Sequence, residues 1–203
     1  MTKPADTPTV FIVDDDPAIR FAMQALMDSV NLPHEIFGSG DEFLERISDD
    51  RPGCLVLDIR MPGLGGLELQ EELLNRGNTL PVIFITGHGD VPMAVEAMQK
   101  GAVDFIQKPF RDQDLLDRIG EALKTDRERR EEQHAHAEVA DRVAKLTNRE
   151  REVFDLVVTG KPNKVIAYEL GVSQRTVEIH RARVMEKMQA RSLADLVKMH
   201  MTA

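Results

Sequence analysis

Residues 54–63 read CLVLDIRMPG, an apolar run that ends in an aspartate and is followed by a Pro-Gly turn. A short apolar run bounded by turn residues is typical of a buried strand. Four further runs share this pattern and alternate with helix-like stretches up to about Phe110: TVFIVD, HEIFG, PVIFIT and VDFIQ. Strands that alternate with helices form a parallel sheet covered on both faces. The sequence therefore predicts an α/β domain over residues 1–125, with a five-stranded, doubly wound, flavodoxin-like sheet.

Acidic and basic side chains stand where the predicted strands end. Asp14 and Asp15 close the first strand, and Asp58 closes the third. Because the carboxyl ends of parallel strands lie at one edge, we expect three carboxylates to converge there, and such a cluster requires a cation. Oxygen ligands indicate a hard divalent ion, Mg²⁺ or Mn²⁺. Thr86 and Lys108 add a hydroxyl and a positive charge at the same edge, which predicts a site for a phosphoryl group.

Charge is distributed unevenly along the chain. The whole chain carries −9, but residues 1–145 carry −12 and residues 146–203 carry +3. This asymmetry suggests that only the C-terminal part contacts a phosphate backbone. Residues 126–145 contain strong helix formers with alternating charge and no Pro or Gly, which favours a solvated linker helix, with a disordered tether as the alternative.

Four short helices are predicted in residues 146–203, which form a separate all-α domain. Thr147 and Glu150 make a capping-box pattern before the first helix. Ser173 follows a tight turn and is predicted to be the N-cap of the third helix. Ser192 begins a second capping-box pattern before the fourth helix.

Two absences bear on location. The longest apolar runs are too short to span a bilayer, and the first ten residues lack the apolar core of a signal peptide. Cys54 is the only cysteine, so it cannot form an internal disulfide, and its apolar neighbours indicate a buried side chain. We therefore expect a cytoplasmic protein that does not enter the membrane.

Four motifs resemble the receiver domain of two-component response regulators. They are VDDD at 13–16, LDIRMPGLGG at 57–66, ITGHGDVP at 85–92 and DFIQKPF at 104–110, so the match covers about the first 110 residues. The resemblance implies that Asp58 accepts phosphate from a sensor histidine kinase. It also implies that Asp15, Asp58 and the Arg60 carbonyl bind magnesium directly, while Asp14 acts through water.

The same resemblance implies a switch. Lys108 would pair with Asp58 and then with the phosphoryl oxygens, and its bond to Pro109 would be cis, which is costly except before proline. The Thr86 hydroxyl would move to bond the phosphate, and the Phe105 ring would follow it. Because Phe105 lacks the hydroxyl of the tyrosine that is common at this position, the switch would depend on packing. The fourth helix and fifth strand would then form a homodimer surface.

A second resemblance covers nearly all of the last 58 residues. Residues 146–188, LTNREREVFDLVVTGKPNKVIAYELGVSQRTVEIHRARVMEKM, resemble the helix-turn-helix of the LuxR and NarL type. The third helix would turn Val177, Val184 and Met188 to the core and lay its other face in the major groove of DNA. The candidate DNA-binding residues are Lys164, Ser173, Arg175, Thr176, Glu178, Ile179, Arg181, Ala182 and Arg183.

Together the two halves resemble the NarL/FixJ family, and within it the FixJ type of nitrogen-fixation regulator. This implies a phosphorylation-activated transcriptional activator whose partners are a FixL-like kinase, promoter DNA and RNA polymerase. Such a protein is not an enzyme beyond self-catalysed phosphotransfer and autodephosphorylation. Two other classes are alternatives: a magnesium-dependent phosphatase, whose D-x-D-x-[TV] signature is not matched, and a constitutive DNA-binding protein with a decayed receiver.

Overall fold

The computed structural model describes residues 7–48, 50–87 and 91–202. Residues 88–90 of the ITGHGDVP motif lie outside the described residues. The first half alternates strands and helices: β1 Thr9–Val13, α1 Pro17–Ser29, β2 His34–Phe37, α2 Gly40–Arg46, β3 Gly53–Asp58, α3 Gly66–Asn75, β4 Val82–Thr86, α4 Val91–Gln99 and β5 Asp104–Gln107. The second half is helical: α5 Asp112–Ala144, α6 Asn148–Val158, α7 Asn163–Leu170, α8 Gln174–Met188 and α9 Leu193–Thr202.

The five strands form one parallel sheet in the order β2-β1-β3-β4-β5. This confirms the predicted doubly wound sheet. The strand order reverses direction at β1, so the ligand-binding crevice of such a fold lies beyond the carboxyl ends of β1 and β3. The register pairs Val13 with Leu57, which places the residues that follow, Asp14 and Asp58, side by side at that edge.

Apolar side chains fill both faces of the sheet because successive strand residues point in opposite directions. Phe11, Leu55 and Phe84 belong to the core on one face. Ile12 and Cys54 belong to the core on the other face. Cys54 is fully buried, and burial, with the nearby Asp126 charge, raises the pKa of its thiol to about 12. The interpretation of Cys54 as a buried structural side chain is thus confirmed.

The helix α5 is bonded to the amino end of the sheet. Asp126 is 2% exposed, and its Oδ2 accepts a hydrogen bond from the backbone N–H of Gly53 at 2.9 Å. Arg129, one turn further along, pairs with the same carboxylate. Gly53 has φ +151, and a Cβ at that position would lie 2.0 Å from the Thr9 carbonyl oxygen. Only glycine therefore fits where the Asp126 carboxylate meets the sheet.

The chain divides into two compact units, Met1–Arg129 and Arg130–Ala203. The helix α5 includes residues 126–144 of the predicted linker, but it is not exposed along its whole length. Residues 131–138 are exposed, whereas Val139 and Val143 are buried in the core of the second unit with Phe154. The two valines are one helical turn apart, so they present a short apolar stripe within an otherwise charged sequence.

No helix in the described ranges combines the length and the apolar character needed to cross a bilayer.

Candidate phosphoryl-binding site and nucleic-acid interface

Two buried carboxylates and one lysine meet at the carboxyl edge of the sheet. Asp14 and Asp58 are 3% and 8% exposed. The Lys108 ammonium donates to Asp14 Oδ2 at 2.8 Å and to Asp58 Oδ1 at 3.0 Å. Asp14 and Asp58 are 94 and 50 positions from Lys108 in the chain, so the parallel sheet alone brings the three side chains together.

Burial and hydrogen bonding act in opposite directions on Asp58. Burial raises the pKa of its carboxyl group, and the Lys108 ammonium and the Arg60 N–H lower that pKa without cancelling the increase. The pKa of Lys108 is also raised, because its hydrogen bonds to the two carboxylates outweigh the effect of burial. The Arg60 N–H donates to Asp58 Oδ2 at 3.0 Å, so both oxygens of Asp58 have defined partners.

The loop between β1 and α1 is held by local hydrogen bonds. Asp14 Oδ1 accepts from the Asp16 N–H at 2.9 Å, and Asp16 caps α1 by accepting from the Ala18 N–H at 2.8 Å. The Arg20 guanidinium donates to the Asp14 carbonyl oxygen at 2.7 Å. Sequence reasoning missed Arg20, whose position in the first turn of α1 was the only signal available.

Asp14, Asp58 and Lys108 are joined by side-chain hydrogen bonds, whereas the predicted magnesium ligand Asp15 does not share in them. Asp15 is exposed at the rim, beside the buried Asp14. Among the described residues, no three His, Cys, Asp or Glu side chains are grouped closely enough to hold a metal ion. The carboxylates of Asp14 and Asp58 are instead joined through Lys108.

The predicted switch residues lie on β4 and on the edge strand β5. Thr86 is 3% exposed at the end of β4, and its carbonyl oxygen accepts from the Lys108 N–H at 2.7 Å. Phe105 of β5 pairs in register with Phe84 and packs half-buried against the core. The predicted cis bond between Lys108 and Pro109 is confirmed.

The start of α3 passes close behind the acidic site. An ideal Cβ at Gly66 would lie 2.4 Å from the Asp58 carbonyl oxygen and 2.9 Å from the Ile59 Cα. The neighbouring Gly65 is different, because its nearest contact would be the Glu68 carboxylate at 3.4 Å. Of the two adjacent glycines, only Gly66 lies so close to backbone atoms of the site that a side chain would clash with them.

In the second unit, α8 has one buried face and one exposed face. Ser173 caps the helix by accepting from the Thr176 N–H at 3.1 Å, as predicted. The predicted core stripe is confirmed, since Val177, Val184 and Met188 are all fully buried. The predicted reading residues on the other face are exposed: Arg175, Glu178, Ile179, Ala182 and Arg183.

Several of the predicted DNA-binding side chains already have partners within the protein. Arg175 lies 3.8 Å from the Glu178 carboxylate. The Arg181 guanidinium is half-buried and donates to Asn163 Oδ1 at 3.0 Å, so it joins α8 to α7. Lys164 is exposed near the start of α7.

One partly buried ion pair joins α8 to the start of α6. The Lys187 ammonium donates to Glu150 Oε2 at 2.6 Å and to the Lys145 carbonyl oxygen at 3.0 Å. The bond from Lys187, followed by the capping bonds to Thr147, lowers the pKa of Glu150 to about 2. The capping box was predicted, but Lys187 was not, because its partner is 37 residues away.

Comparisons with known families match both units. The model described as "Response regulator receiver domain" matches residues 10–120. The model described as "Bacterial regulatory proteins, luxR family" matches residues 144–200. Asp14, Asp58 and Lys108 lie in the first match, and α6 to α8 lie in the second.

Similar proteins align over almost the whole chain. Nodulation protein W of Bradyrhizobium diazoefficiens is 49% identical over 99% of this chain and 88% of its own length. The transcriptional regulatory protein FixJ of Azorhizobium caulinodans is 47% identical over 96% of this chain and 92% of its own. The solved structure of the response regulator StyR has a TM-score of 0.90 at 43% identity, covering 97% of this chain and all of StyR. The chain therefore belongs to the NarL/FixJ-type two-component response regulators, in which a receiver domain precedes a LuxR-type DNA-binding domain.

Proposed function

We propose that a sensor histidine kinase phosphorylates this regulator on Asp58 and that the phosphorylated protein activates transcription. The observation that carries the proposal is the Lys108 ammonium, which lies within 3.0 Å of both Asp14 and Asp58 at the ligand-binding edge of the sheet. A carboxylate held beside a fixed positive charge is placed to accept a phosphoryl group.

The transfer forms a bond between an Asp58 carboxylate oxygen and phosphorus. It breaks the P–N bond of the kinase phosphohistidine, whose imidazole leaves with the bonding electrons and takes a proton from solvent. The Arg60 N–H bond fixes the orientation of the carboxylate. The Lys108 ammonium offsets negative charge on the phosphoryl oxygens, which is the main task of a protein in this type of reaction.

The oxygen donors at this edge fit Mg²⁺ or Mn²⁺. Asp15, Asp58 and the Arg60 carbonyl would hold the ion directly, with Asp14 acting through water. Because Asp15 is exposed, its side chain is free to change rotamer toward the buried pair. A bound ion supplies charge neutralisation for the carboxylates and for the incoming phosphate.

We propose that Thr86 and Phe105 carry the phosphorylation signal to α4 and β5, where two copies of the protein associate. Phe105 is half-buried at the edge strand, so its ring has space to change position. Val95 and Met98 of α4 are 50% and 46% exposed. They are three residues apart on one helix and so lie side by side, and contiguous exposed apolar patches mark surfaces that another protein covers.

For DNA, we propose that α8 enters the major groove with its exposed face. Arg175 and Arg183 are candidates for contacts to guanine or phosphate, and Ile179 for a thymine methyl group. Lys164, Ser173, Thr176 and Arg181 are candidates for the sugar-phosphate backbone. Glu178 carries a negative charge on the same face, and it can accept a hydrogen bond from cytosine.

The relatives support a more specific role. Since two of them are called FixJ and nodulation protein W, we propose a FixL-like kinase and RNA polymerase as partners, and nitrogen-fixation genes as targets. A cytoplasmic location follows from these partners.

The test compares DNA binding before and after treatment with acetyl phosphate and Mg²⁺. We expect mass spectrometry to show one added phosphate on the wild-type protein and on Asp28→Asn, which alters an exposed carboxylate outside the site. We expect none on Asp58→Asn. Promoter affinity and the dimer fraction should rise only where phosphate is added. If Asp58→Asn binds promoter DNA as the phosphorylated protein does, the constitutive alternative is correct.

A further inference from the structure

Arg20 of α1 bonds to the backbone between the first two acidic residues of the β1–α1 loop. Its guanidinium Nη1 donates to the Asp14 carbonyl oxygen at 2.7 Å, and the side chain is partly buried. A peptide group is planar, so the atoms from the Asp14 Cα to the Asp15 Cα move as one unit. A bond that holds the Asp14 oxygen therefore also holds the backbone from which the Asp15 side chain projects.

The other bonds of this loop hold Asp14 and do not reach the Asp15 carboxylate. The Asp14 N–H donates to the Phe37 carbonyl oxygen at 3.3 Å, and the Asp14 carboxylate accepts from the Asp16 N–H at 2.9 Å. Asp15 is exposed, and within the described part of the chain its carboxylate makes no hydrogen bond or ion pair. The direction of this carboxylate thus depends on its backbone, which Arg20 fixes.

The Arg20 side chain is itself held between the loop and the start of α2. Its backbone N–H donates to the Asp16 carbonyl oxygen at 3.0 Å. On the far side, a Cβ at Gly38 would stand 3.6 Å from the guanidinium Nη1, which is ordinary contact distance. The Gly38 N–H bond, followed by the Arg46 and Arg20 charges, lowers the pKa of Glu42. A guanidinium with neighbours on both sides has little freedom to release the peptide it holds.

A guanidinium beside a cation site can act in two opposite ways. As a charge it repels Mg²⁺, so its removal would strengthen metal binding. As a donor that fixes the backbone of a metal ligand, it supports that ligand, and loss of such support weakens metal binding by about 10–100-fold. The short bond from Arg20 to an uncharged oxygen, and the lack of other support for Asp15, favour the second effect.

We propose that Arg20 is a positioning residue for Mg²⁺, which holds the Asp14–Asp15 peptide so that the Asp15 carboxylate is presented to the ion. This role rests on the proposed function, in which Asp15 and Asp58 bind the ion directly. Arg20 itself contacts neither the ion nor the phosphoryl group. It therefore sets the affinity for Mg²⁺ and leaves the transfer step at Asp58 unchanged once the ion is bound.

Isothermal titration calorimetry of the unphosphorylated, full-length protein with MgCl₂ measures metal affinity without any phosphoryl transfer. Arg20→Met keeps an unbranched aliphatic chain and removes the donor and the charge, so the Kd for Mg²⁺ should rise at least about tenfold. Arg20→Lys keeps the charge and a donor, and it should bind Mg²⁺ more tightly than Arg20→Met does. Repulsion by the charge alone predicts the reverse order. The proposal is wrong if Arg20→Met binds Mg²⁺ as tightly as the wild type, or if Arg20→Lys binds it more weakly than Arg20→Met.

The matched control is Arg46→Met, which removes the other arginine that interacts with Glu42. Arg46 is 57% exposed and pairs with Glu42 at 2.9 Å, and it makes no bond to the β1–α1 loop. Its Kd for Mg²⁺ should stay within about threefold of the wild type, because an exposed ion pair contributes little. Circular dichroism shows that all three variants are folded at the assay temperature. Equal weakening in Arg46→Met and Arg20→Met would exclude a specific role for Arg20.

Phosphorylation by acetyl phosphate at a series of Mg²⁺ concentrations separates affinity from chemistry. In Arg20→Met, the Mg²⁺ concentration that gives half the maximal rate should rise by the same factor as the Kd. The rate at saturating Mg²⁺ should stay within about threefold of the wild type. A loss of rate at saturating Mg²⁺ with an unchanged half-maximal concentration would contradict the positioning role. If the wild type binds no Mg²⁺, the proposed function and this role both fail; if the wild type binds it and Arg20→Met binds it equally, only the role of Arg20 fails.

Discussion

Alanine substitutions of Gly66 and Gly65, the two adjacent glycines behind the phosphoryl site, should have very different effects on phosphorylation. In Gly66→Ala, the new Cβ would stand 2.4 Å from the Asp58 carbonyl oxygen, whereas ordinary contacts of a Cβ begin at 3.4 Å. Since the nearest atoms belong to backbone, the clash cannot be relieved by a side-chain rotation. The end of β3 must move away from α3 by about 1 Å.

A movement of this size acts on the reacting group itself. Displacing a catalytic group by about 1 Å reduces a rate by about 100-fold. Overpacking of a close-packed site destabilises a protein by about 1–3 kcal/mol. We therefore expect Gly66→Ala to accept phosphate from acetyl phosphate about 100 times more slowly than the wild type, with a moderately lower melting temperature.

The matched control is Gly65→Ala, in which the new Cβ makes ordinary contacts with the end of the flexible Glu68 side chain at 3.4 Å and with the Ile59 carbonyl oxygen at 3.6 Å. Its phosphorylation rate should stay within about threefold of the wild type, a change of less than about 1 kcal/mol in the barrier. Phosphate-affinity gels at several times after mixing measure both rates, and circular dichroism shows that both variants are folded at the assay temperature. If the two alanine variants react at the same rate, the close approach of α3 does not position Asp58.

Three further predictions concern the polar contacts away from this edge. Lys187→Met should lower the free energy of unfolding of the DNA-binding unit by about 2 kcal/mol at pH 7, as measured by urea titration, because the buried Glu150 carboxylate loses its ammonium partner. The pKa of Glu150 is about 2 in the folded protein and 4.5 when unperturbed. The stabilisation that its carboxylate gives to the folded unit is therefore complete above about pH 4.5 and is lost as the pH falls toward 2. Glu150→Gln should be less stable than the wild type at pH 7 and should lose less stability in acid. Asp126→Ala should leave the buried Gly53 N–H without its acceptor and cost about 1–3 kcal/mol, with faster hydrogen exchange at the start of β3 and an unchanged DNA-binding unit.

Much of the fold could be predicted because its signals are local. Each strand is a short apolar run in the sequence, and the run that ends at Asp58 shows this pattern clearly. The capping pattern of Thr147 and Glu150 is contained within four residues, and the structure contains both of its hydrogen bonds. The juxtaposition of Asp14, Asp58 and Lys108 required one further step, which was the rule that the carboxyl ends of parallel strands share an edge.

The contacts that were missed join residues with no local signal. Asp126 bonds to a backbone N–H that is 73 residues away, and nothing near it in a highly charged sequence distinguishes it from its neighbours. Val139 and Val143 are likewise two apolar residues in a polar helix, too few to indicate a buried face by periodicity. For such residues, burial depends on which surface the helix meets, and that is a property of the tertiary structure.

The burial of Val139 and Val143 has a consequence for anyone who exchanges modules between regulators of this kind. Consider a chimaera that joins the receiver unit of one regulator to the DNA-binding unit of another at residue 146. The residues at positions 139 and 143 would then come from the first regulator and the rest of the DNA-binding core from the second, so side chains that did not evolve together would have to pack. A crossover within the exposed stretch 131–138 keeps each core from a single parent. Gene fusions that rewire a kinase to a new promoter should therefore succeed more often when the junction lies before Val139.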